Sequence, residues 1–356
     1  MGNNNHSRND TFILIPSYQP DEQLIRLLIN LKNENFDIVV VDDGSSIEHQ
    51  KIFKEAEEYA VVLKHEVNRG KGAALRFGLS YINLYKENHI YVITCDDDGQ
   101  HAVEDVLKVS DKLYETDNVV FGCRNFKEDM PRRSRNGNFM SRLFRTMLTK
   151  EYIQDDQCGL RGFPIRDIFN LIPLQGNSYD YEMNVVCNLQ IKRIKIEEVP
   201  IKTIYIDDNA SSHFRPGLDT FKIQRMIWSI AVAPLICGLS SIFLMVFLNI
   251  NFDRTGLFNY LFLFVSYVFY FYLLMGVTSF LWPTRKMGRR ILIEGIYASI
   301  KTVLIFGLFA VFFSLLHWYA PIAYAICLLI SFLINFPLAY IAWKIKNGKR
   351  KRKKKD

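Results

Sequence analysis

Four apolar blocks in the second half of the chain, Ser229–Ile250, Leu257–Trp282, Leu292–Leu316 and Tyr319–Trp343, constrain its fold more than any other feature. Each is long enough to cross a bilayer as a helix, for which about 20 residues suffice. The third block carries Glu294 and Lys301, seven residues apart and therefore two turns apart on one helix face. An intramembrane charge is functional by default, and snorkelling or pairing near the surface is the alternative.

The charge pattern orients these blocks. The net charge is +7, and Lys344, Lys346 and the run Lys349–Lys355 form a basic tail. Arg285, Lys286, Arg289 and Arg290 fill the connection between the second and third blocks, while the other two connections are nearly free of Lys and Arg. By the positive-inside rule, both termini and the central loop are cytoplasmic, which four spans satisfy. A basic tail beside a span meets anionic lipid, so no nucleic acid partner is expected. The Asn-rich start has no apolar core region, and no signal peptide is expected. The six cysteines form no CxxC pair and read as free thiols.

The first 220 residues have a different character. Phe12–Ile15, Ile38–Val41, Val61–Leu63, Ile90–Ile93 and Val119–Phe121 read as short apolar strands. Helical signals separate them, among them the stripe Leu24, Leu27, Leu28, Leu31 and a helix opening at Gly70. This alternation predicts an α/β fold with a mostly parallel sheet covered on both faces. Asn136–Lys150 and Tyr179–Gln190 read as further helices, and Val199–Tyr205 as an edge strand because it contains Pro200. Gly217–Trp228 is amphipathic and suits an interfacial helix, a plain linker helix being the alternative.

In parallel α/β sheets, ligands bind outside the carboxyl ends of the strands. Pro16-Ser17-Tyr18, Asp42-Asp43, Asn68–Gly72 and Asp96–His101 all fall at those ends. Asp96-Asp97-Asp98 carries the strongest chemistry. Three carboxylates cannot be buried unpaired, and Asp96 and Asp98 point to one side of an extended chain, suited to a hard metal ion. A solvated acidic turn is the alternative. Asn68-Arg69-Gly70-Lys71-Gly72 joins glycines, cations and a helix start, where backbone N–H groups can face an anion.

These four motifs, with Asp155-Asp156-Gln157-Cys158-Gly159-Leu160-Arg161 and Ser212-His213-Phe214-Arg215, resemble those of inverting family 2 glycosyltransferases of the GT-A fold. Among these, the chain looks like the polyprenyl-phosphate glycosyltransferases: dolichyl-phosphate mannose synthases and their bacterial undecaprenyl-phosphate relatives. The resemblance covers roughly residues 10–225. The membrane half resembles the small four-helix GtrA-like proteins associated with lipid-linked sugar flipping. The implied organisation is a flexible start (1–10), a cytoplasmic GT-A domain (11–214), an interfacial helix (215–228), four spans (229–343) and a basic cytoplasmic tail (344–356).

The resemblance also implies roles for single residues. Pro16 and Tyr18 would flank the base, Asp42 and Asp43 contact the nucleoside, and Asn68 and Lys71 meet the diphosphate. Asp96, Asp98 and Gln100 would hold Mg²⁺ or Mn²⁺, with Asp96 and Asp97 also on the nucleotide side. Asp97 stands where the family usually has a small residue, with ribose or a neighbouring cation as its alternative partner. Asp98, Arg124, Asp155 and Gln157 would line the reacting centre, and Ser141, Arg142 and Arg215 would take the acceptor phosphate. Glu182 matches an acidic position on the acceptor side, a structural ion pair being equally consistent. The implied activity moves a sugar from UDP-glucose or UDP-GlcNAc to a polyprenyl phosphate, undecaprenyl phosphate favoured, at the cytoplasmic leaflet of the plasma membrane. The alternatives are a GDP-mannose donor, a hydroxyl acceptor that demands a base, Asp155 or Glu182, or a nucleotide-sensing transport protein. A homo-oligomer is left open.

Overall fold

The computed structural model describes residues 8–85, 89–124, 132–202, 218–251, 256–281, 287–316 and 318–353. The chain forms two compact units. The first holds residues up to 139, 153–189 and 194–226; the second holds 140–152, 190–193 and everything from 227 onward.

The first unit is built on seven strands: β1 (Thr11–Ser17), β2 (Asp37–Asp42), β3 (Val61–Lys64), β4 (Tyr91–Thr94), β5 (Val119–Arg124), β6 (Arg161–Pro164) and β7 (Ile196–Ile201). They form one sheet in the order β3-β2-β1-β4-β6-β5-β7. Only β6 runs antiparallel to its neighbours, β4 and β5. The helices are α1 (Glu22–Asn33), α2 (Gln50–Ala56), α3 (Lys71–Tyr85), α4 (Val103–Thr116), α5 (Arg132–Thr149, in the second unit from residue 140), the single turn α6 (Ile165–Ile168) and α7 (Tyr179–Ile191, in the second unit from residue 190).

Side chains alternate across each strand. Leu14, Val39, Val41 and Val92 enter a core with Ala74 and Leu79 of α3. Ile13, Ile15, Val40 and Ile93 enter another, with Leu24 and Leu28 of α1 and Val106 of α4. With both faces covered, the strands read as unbroken apolar runs. This is the mostly parallel, doubly covered α/β sheet expected of the GT-A fold. β1 lies between β2 and β4, with Ser17 in register with Asp42 and Leu14 with Thr94. Strand order reverses there, the place where such sheets open a ligand crevice.

Two elements depart from expectation. β6 is absent from the sequence reading, because Arg161 and Gly162 give it no apolar run. Its Arg161 is buried nonetheless, and donates to the carbonyls of Cys158, Asp156 and Glu182. β7 starts three residues before the expected Val199, since Ile196 pairs with Val119. It is an edge strand, as Pro200 requires.

The second unit contains α8 (Leu218–Asn251, from Ile227), α9 (Gly256–Leu281), α10 (Met287–Phe309, continued to Leu315 by π-helical turns), α11 (Ala320–Leu333) and α12 (Asn335–Lys353). Its four segments Pro234–Asn251, Leu257–Val277, Glu294–Leu315 and Ala320–Asn347 are long and apolar enough to cross a membrane. Met245, Phe262, Tyr267, Ile305, Phe309 and Tyr324 pack inside, while Phe243, Phe247, Leu257 and Val303 point outward. The stretch expected as an interfacial helix forms the first turns of α8, which runs unbroken. None of the six cysteines forms a disulfide.

Candidate active site

β2 ends on Asp42, whose side chain is fully buried. It accepts the Ser45 N–H at 2.8 Å and the Gln50 amide at 3.1 Å. Asp43 follows and reaches across to the loop before α3. Its carboxylate accepts the N–H groups of Arg69 (3.0 Å) and Gly70 (2.7 Å) and pairs with His65 Nδ1 at 2.7 Å. A carboxylate has about four lone-pair sites, so Asp43 is mostly engaged in holding the loop. Gly44 has φ +73°, and a Cβ there would sit 2.3 Å from the Val67 carbonyl carbon, which explains the Asp-Asp-Gly turn. Pro16 is buried within β1, Tyr18 is half-buried, and Asn68 is exposed.

The acidic triplet lies just beyond β4. Each of its carboxylates has a different partner. Asp96 Oδ1 lies 2.8 Å from Lys71 Nζ, at the first residue of α3, and its Oδ2 is 3.7 Å from His101 Nε2. Lys71 also reaches Glu182 of α7, at 3.2 Å. Asp97 accepts the Ser17 hydroxyl at 2.5 Å, which links the ends of β4 and β1. Asp98 accepts the Gln100 N–H at 3.1 Å. Gly99, at φ +72°, supplies the turn.

These partners set the charges. Burial alone would raise Asp96, but Lys71 and then His101 outweigh it and hold the carboxyl far below the usual range. Burial would likewise lower Lys71, and Asp96 and Glu182 reverse it and keep the ammonium charged. Among the described residues, no cation pairs with Asp97. Burial, with Asp96 and Asp98 as like charges, pushes it up to about 7 against the Ser17 hydrogen bond. Burial and Asp96 also raise Asp98.

Arg124, at the end of β5, closes a bidentate pair with Asp155 at 2.7 and 3.1 Å. The Asp155 carboxylate also accepts the Arg124 N–H and the Gln157 N–H, each at 3.2 Å. Each oxygen thus accepts twice, and Asp155 is 2% exposed. Burial favours the neutral acid, but Arg124 overcomes it and holds Asp155 below the ordinary carboxylate range. With its acceptor sites filled, Asp155 orients Arg124 rather than standing ready to take a proton. The Gln157 side chain is exposed.

Lys71 and Asp96–Asp98 are thus gathered at the strand ends of the first unit, and Asp42 and Asp43 brace the loop leading to Lys71. Among the described residues no group of three or more His, Cys, Asp or Glu is arranged to hold a metal. Ser141 and Arg142 belong to the second unit. There Ser141 is buried, and Arg142 donates to the Tyr152 hydroxyl at 3.2 Å. Arg215 lies outside the described residues.

Three residues stand inside the motifs read from the sequence without a role assigned to them there. Ser17 meets Asp97, His101 approaches Asp96, and Gly159 lies against Asp96, where a Cβ would stand 2.4 Å from the carboxylate. The roles of Ser17 and Gly159 rest on contacts made across the sheet, which the sequence does not announce.

The model of the family described as glycosyl transferase family 2 matches residues 12–169, which hold Lys71, the acidic triplet, Arg124 and Asp155. An uncharacterized protein of Methanocaldococcus jannaschii is 34% identical, over 58% of this chain and 87% of that protein. The chain belongs to glycosyl transferase family 2. A second relative of this family 2 glycosyltransferase is the UDP-N-acetylglucosamine–dolichyl-phosphate N-acetylglucosaminyltransferase of Methanococcus voltae, 32% identical over 55% of this chain and 86% of that protein. The dolichyl-phosphate β-glucosyltransferase of Saccharomyces cerevisiae is 26% identical over 63% and 75%. Among solved structures, glucosyl-3-phosphoglycerate synthase of Mycobacterium tuberculosis superposes with a TM-score of 0.47 at 13% identity, over 62% of this chain and 79% of that one.

Proposed function

We propose that this enzyme moves a sugar from a nucleoside diphosphate sugar to the phosphate of a polyprenyl phosphate at the cytoplasmic leaflet, with inversion at the sugar carbon. The observation that carries it is the Lys71–Asp96–Glu182 cluster beside Asp97 and Asp98, at the strand ends of a chain that also holds four membrane-length helices. UDP-GlcNAc and UDP-glucose are the favoured donors and undecaprenyl phosphate the favoured acceptor. The names of the Methanococcus voltae and yeast relatives support a GlcNAc or glucose donor and a polyprenyl phosphate acceptor.

The residues fit a hard divalent cation, Mg²⁺ or Mn²⁺, that draws most of its ligands from water and substrate phosphates. Such ions need only one or two protein carboxylates. Asp96 is matched by Lys71, whereas burial and the neighbouring carboxylate charge of Asp96 outweigh the nearby cations and raise Asp98, and burial with Asp96 and Asp98 raises Asp97. Asp98, with Asp96, would hold the ion, which supplies charge neutralisation of the departing nucleotide. Lys71 would add a fixed positive charge on the diphosphate side. Arg124, locked by Asp155, would hold a preorganised guanidinium toward phosphate.

No general base is required in this reading, because a phosphate monoester is anionic at neutral pH. A hydroxyl acceptor would require one, and both carboxylates offered for that task are engaged: Asp155 by Arg124 and Glu182 by Lys71. The test uses the full-length protein in detergent with undecaprenyl phosphate and labelled UDP-GlcNAc, UDP-glucose or GDP-mannose, with Mg²⁺, Mn²⁺ or chelator. Label entering the lipid fraction from a UDP-sugar, only with metal, is the expected result. No lipid-linked label from any donor would overturn the proposal.

A further inference from the structure

The second unit contains a cluster of charges apart from the strand-end site of the first. Glu294, the first residue of the third membrane-length segment, forms ion pairs with Lys150 and, at 2.6 Å, with Arg193. Arg193 also lies 3.7 Å from Glu151 and donates to the Thr149 carbonyl at 2.6 Å. Two carboxylates are therefore matched by two cations. Lys301, two turns along the same helix face, is the surplus charge. It is 8% exposed, and among the described residues no hydrogen bond or ion pair reaches its ammonium.

Lys301 lines a cavity of about 60 Å³ together with Lys150, Arg193 and Glu294. That volume is several times the minimum for one water. The rest of the wall includes Leu274 and Met275 of α9 and Phe332 of α11, with Tyr270 of α9 beside them. The cavity is thus apolar on the side of the membrane-length helices and cationic where Glu294 begins its segment. A buried ammonium without a partner is costly, and a basic pocket between membrane helices is the chemistry that takes lipid head groups.

We infer that this cavity is a binding site for a lipid-borne phosphate, with Lys301 as the principal contact and Lys150 and Arg193 as the flanking cations. The anion completes the charge balance that Glu294 and Glu151 leave one short. Its acyl or prenyl chain would lie along the apolar wall. The inference stands apart from the transfer reaction, because its readout is lipid retention and not turnover.

The test uses the full-length protein purified in an uncharged detergent. Retention of dioleoyl phosphatidic acid, dioleoylglycerol and inorganic phosphate is followed by native mass spectrometry, and thermal stability by scanning fluorimetry. The expected result is retention of phosphatidic acid with a raised melting temperature, weakened at least about tenfold in Lys301→Met and kept in Lys301→Arg. The methionine variant replaces a buried charge by an apolar chain of similar length, so it should melt no lower than the unliganded parent. Equal retention of phosphatidic acid by the parent and Lys301→Met would overturn the inference. So would diacylglycerol binding as well as phosphatidic acid. Inorganic phosphate matching phosphatidic acid at equal concentration would assign the site to free phosphate and overturn its lipid character.

Discussion

Lys71 Nζ sits between two carboxylates, 2.8 Å from Asp96 and 3.2 Å from Glu182, and so joins the start of α3 to the end of β4 and to α7. The ammonium fixes where negative charge is tolerated at the strand ends. Replacing it by methionine leaves Asp96 without its main partner and removes a cation from the diphosphate side. Lys71→Met should lower the turnover number by about 10²–10³, the usual cost of losing one electrostatic stabiliser. Steady-state kinetics with saturating donor, alongside circular dichroism to confirm folding, checks this. A change below about threefold would remove Lys71 from the site.

Gly159 faces Asp96 so closely that no side chain fits, a Cβ standing 2.4 Å from one carboxylate oxygen and 2.7 Å from the other. Gly159→Ala should displace Asp96 from Lys71 and cut turnover steeply, although a methyl group adds no charge. Retained activity would show that Asp96 can move without consequence.

Asp43 braces the loop before Lys71 through the Arg69 and Gly70 N–H groups. Asp43→Asn keeps the shape but weakens charge-assisted hydrogen bonds. The expected loss is about 1–3 kcal/mol of stability, together with a raised donor KM. A thermal melt and donor titration test both. An unchanged melting temperature with an unchanged KM would contradict the bracing role.

Asp155 is held below the ordinary carboxylate range because Arg124 overcomes the effect of burial. A depressed folded-state pKa contributes stability that is fully present above the unfolded value, about 4, and is lost as the pH falls through the folded value. Asp155→Asn should therefore cost about 3 kcal/mol near neutrality, as breaking a buried pair does. The gap between parent and variant should close in acid. Melting temperatures from pH 7 down to pH 3 measure it; a gap that widens in acid would contradict the assignment.

Much of this fold was legible in the chain because its strands are buried on both faces. Phe12–Ile15, Ile38–Val41 and Ile90–Ile93 carry runs that need no knowledge of partners, and each forms part of a strand. β6 was not legible, since Arg161 is stabilised by three carbonyls brought from elsewhere. The same division holds at the site. The Asp-Asp-Gly turns announce themselves through glycine and the crowding of like charge. The Ser17–Asp97, Lys71–Glu182 and Gly159–Asp96 contacts join positions 80, 111 and 63 residues apart, and only the folded sheet makes them neighbours. The surplus charge at Lys301 shows the same limit. Its seven-residue spacing from Glu294 was visible, but Lys150 and Arg193, which claim Glu294, are distant in sequence.

The most direct test of the central claim is the structure of the lipid product made from UDP-GlcNAc, or from whichever UDP-sugar is turned over, and undecaprenyl phosphate. NMR of the purified product reports both the atom joined to the sugar and the configuration at its first carbon. The account predicts a sugar linked through the lipid phosphate, in β configuration from an α-linked donor. A sugar linked to a hydroxyl, or one that retains the donor's configuration, would contradict it.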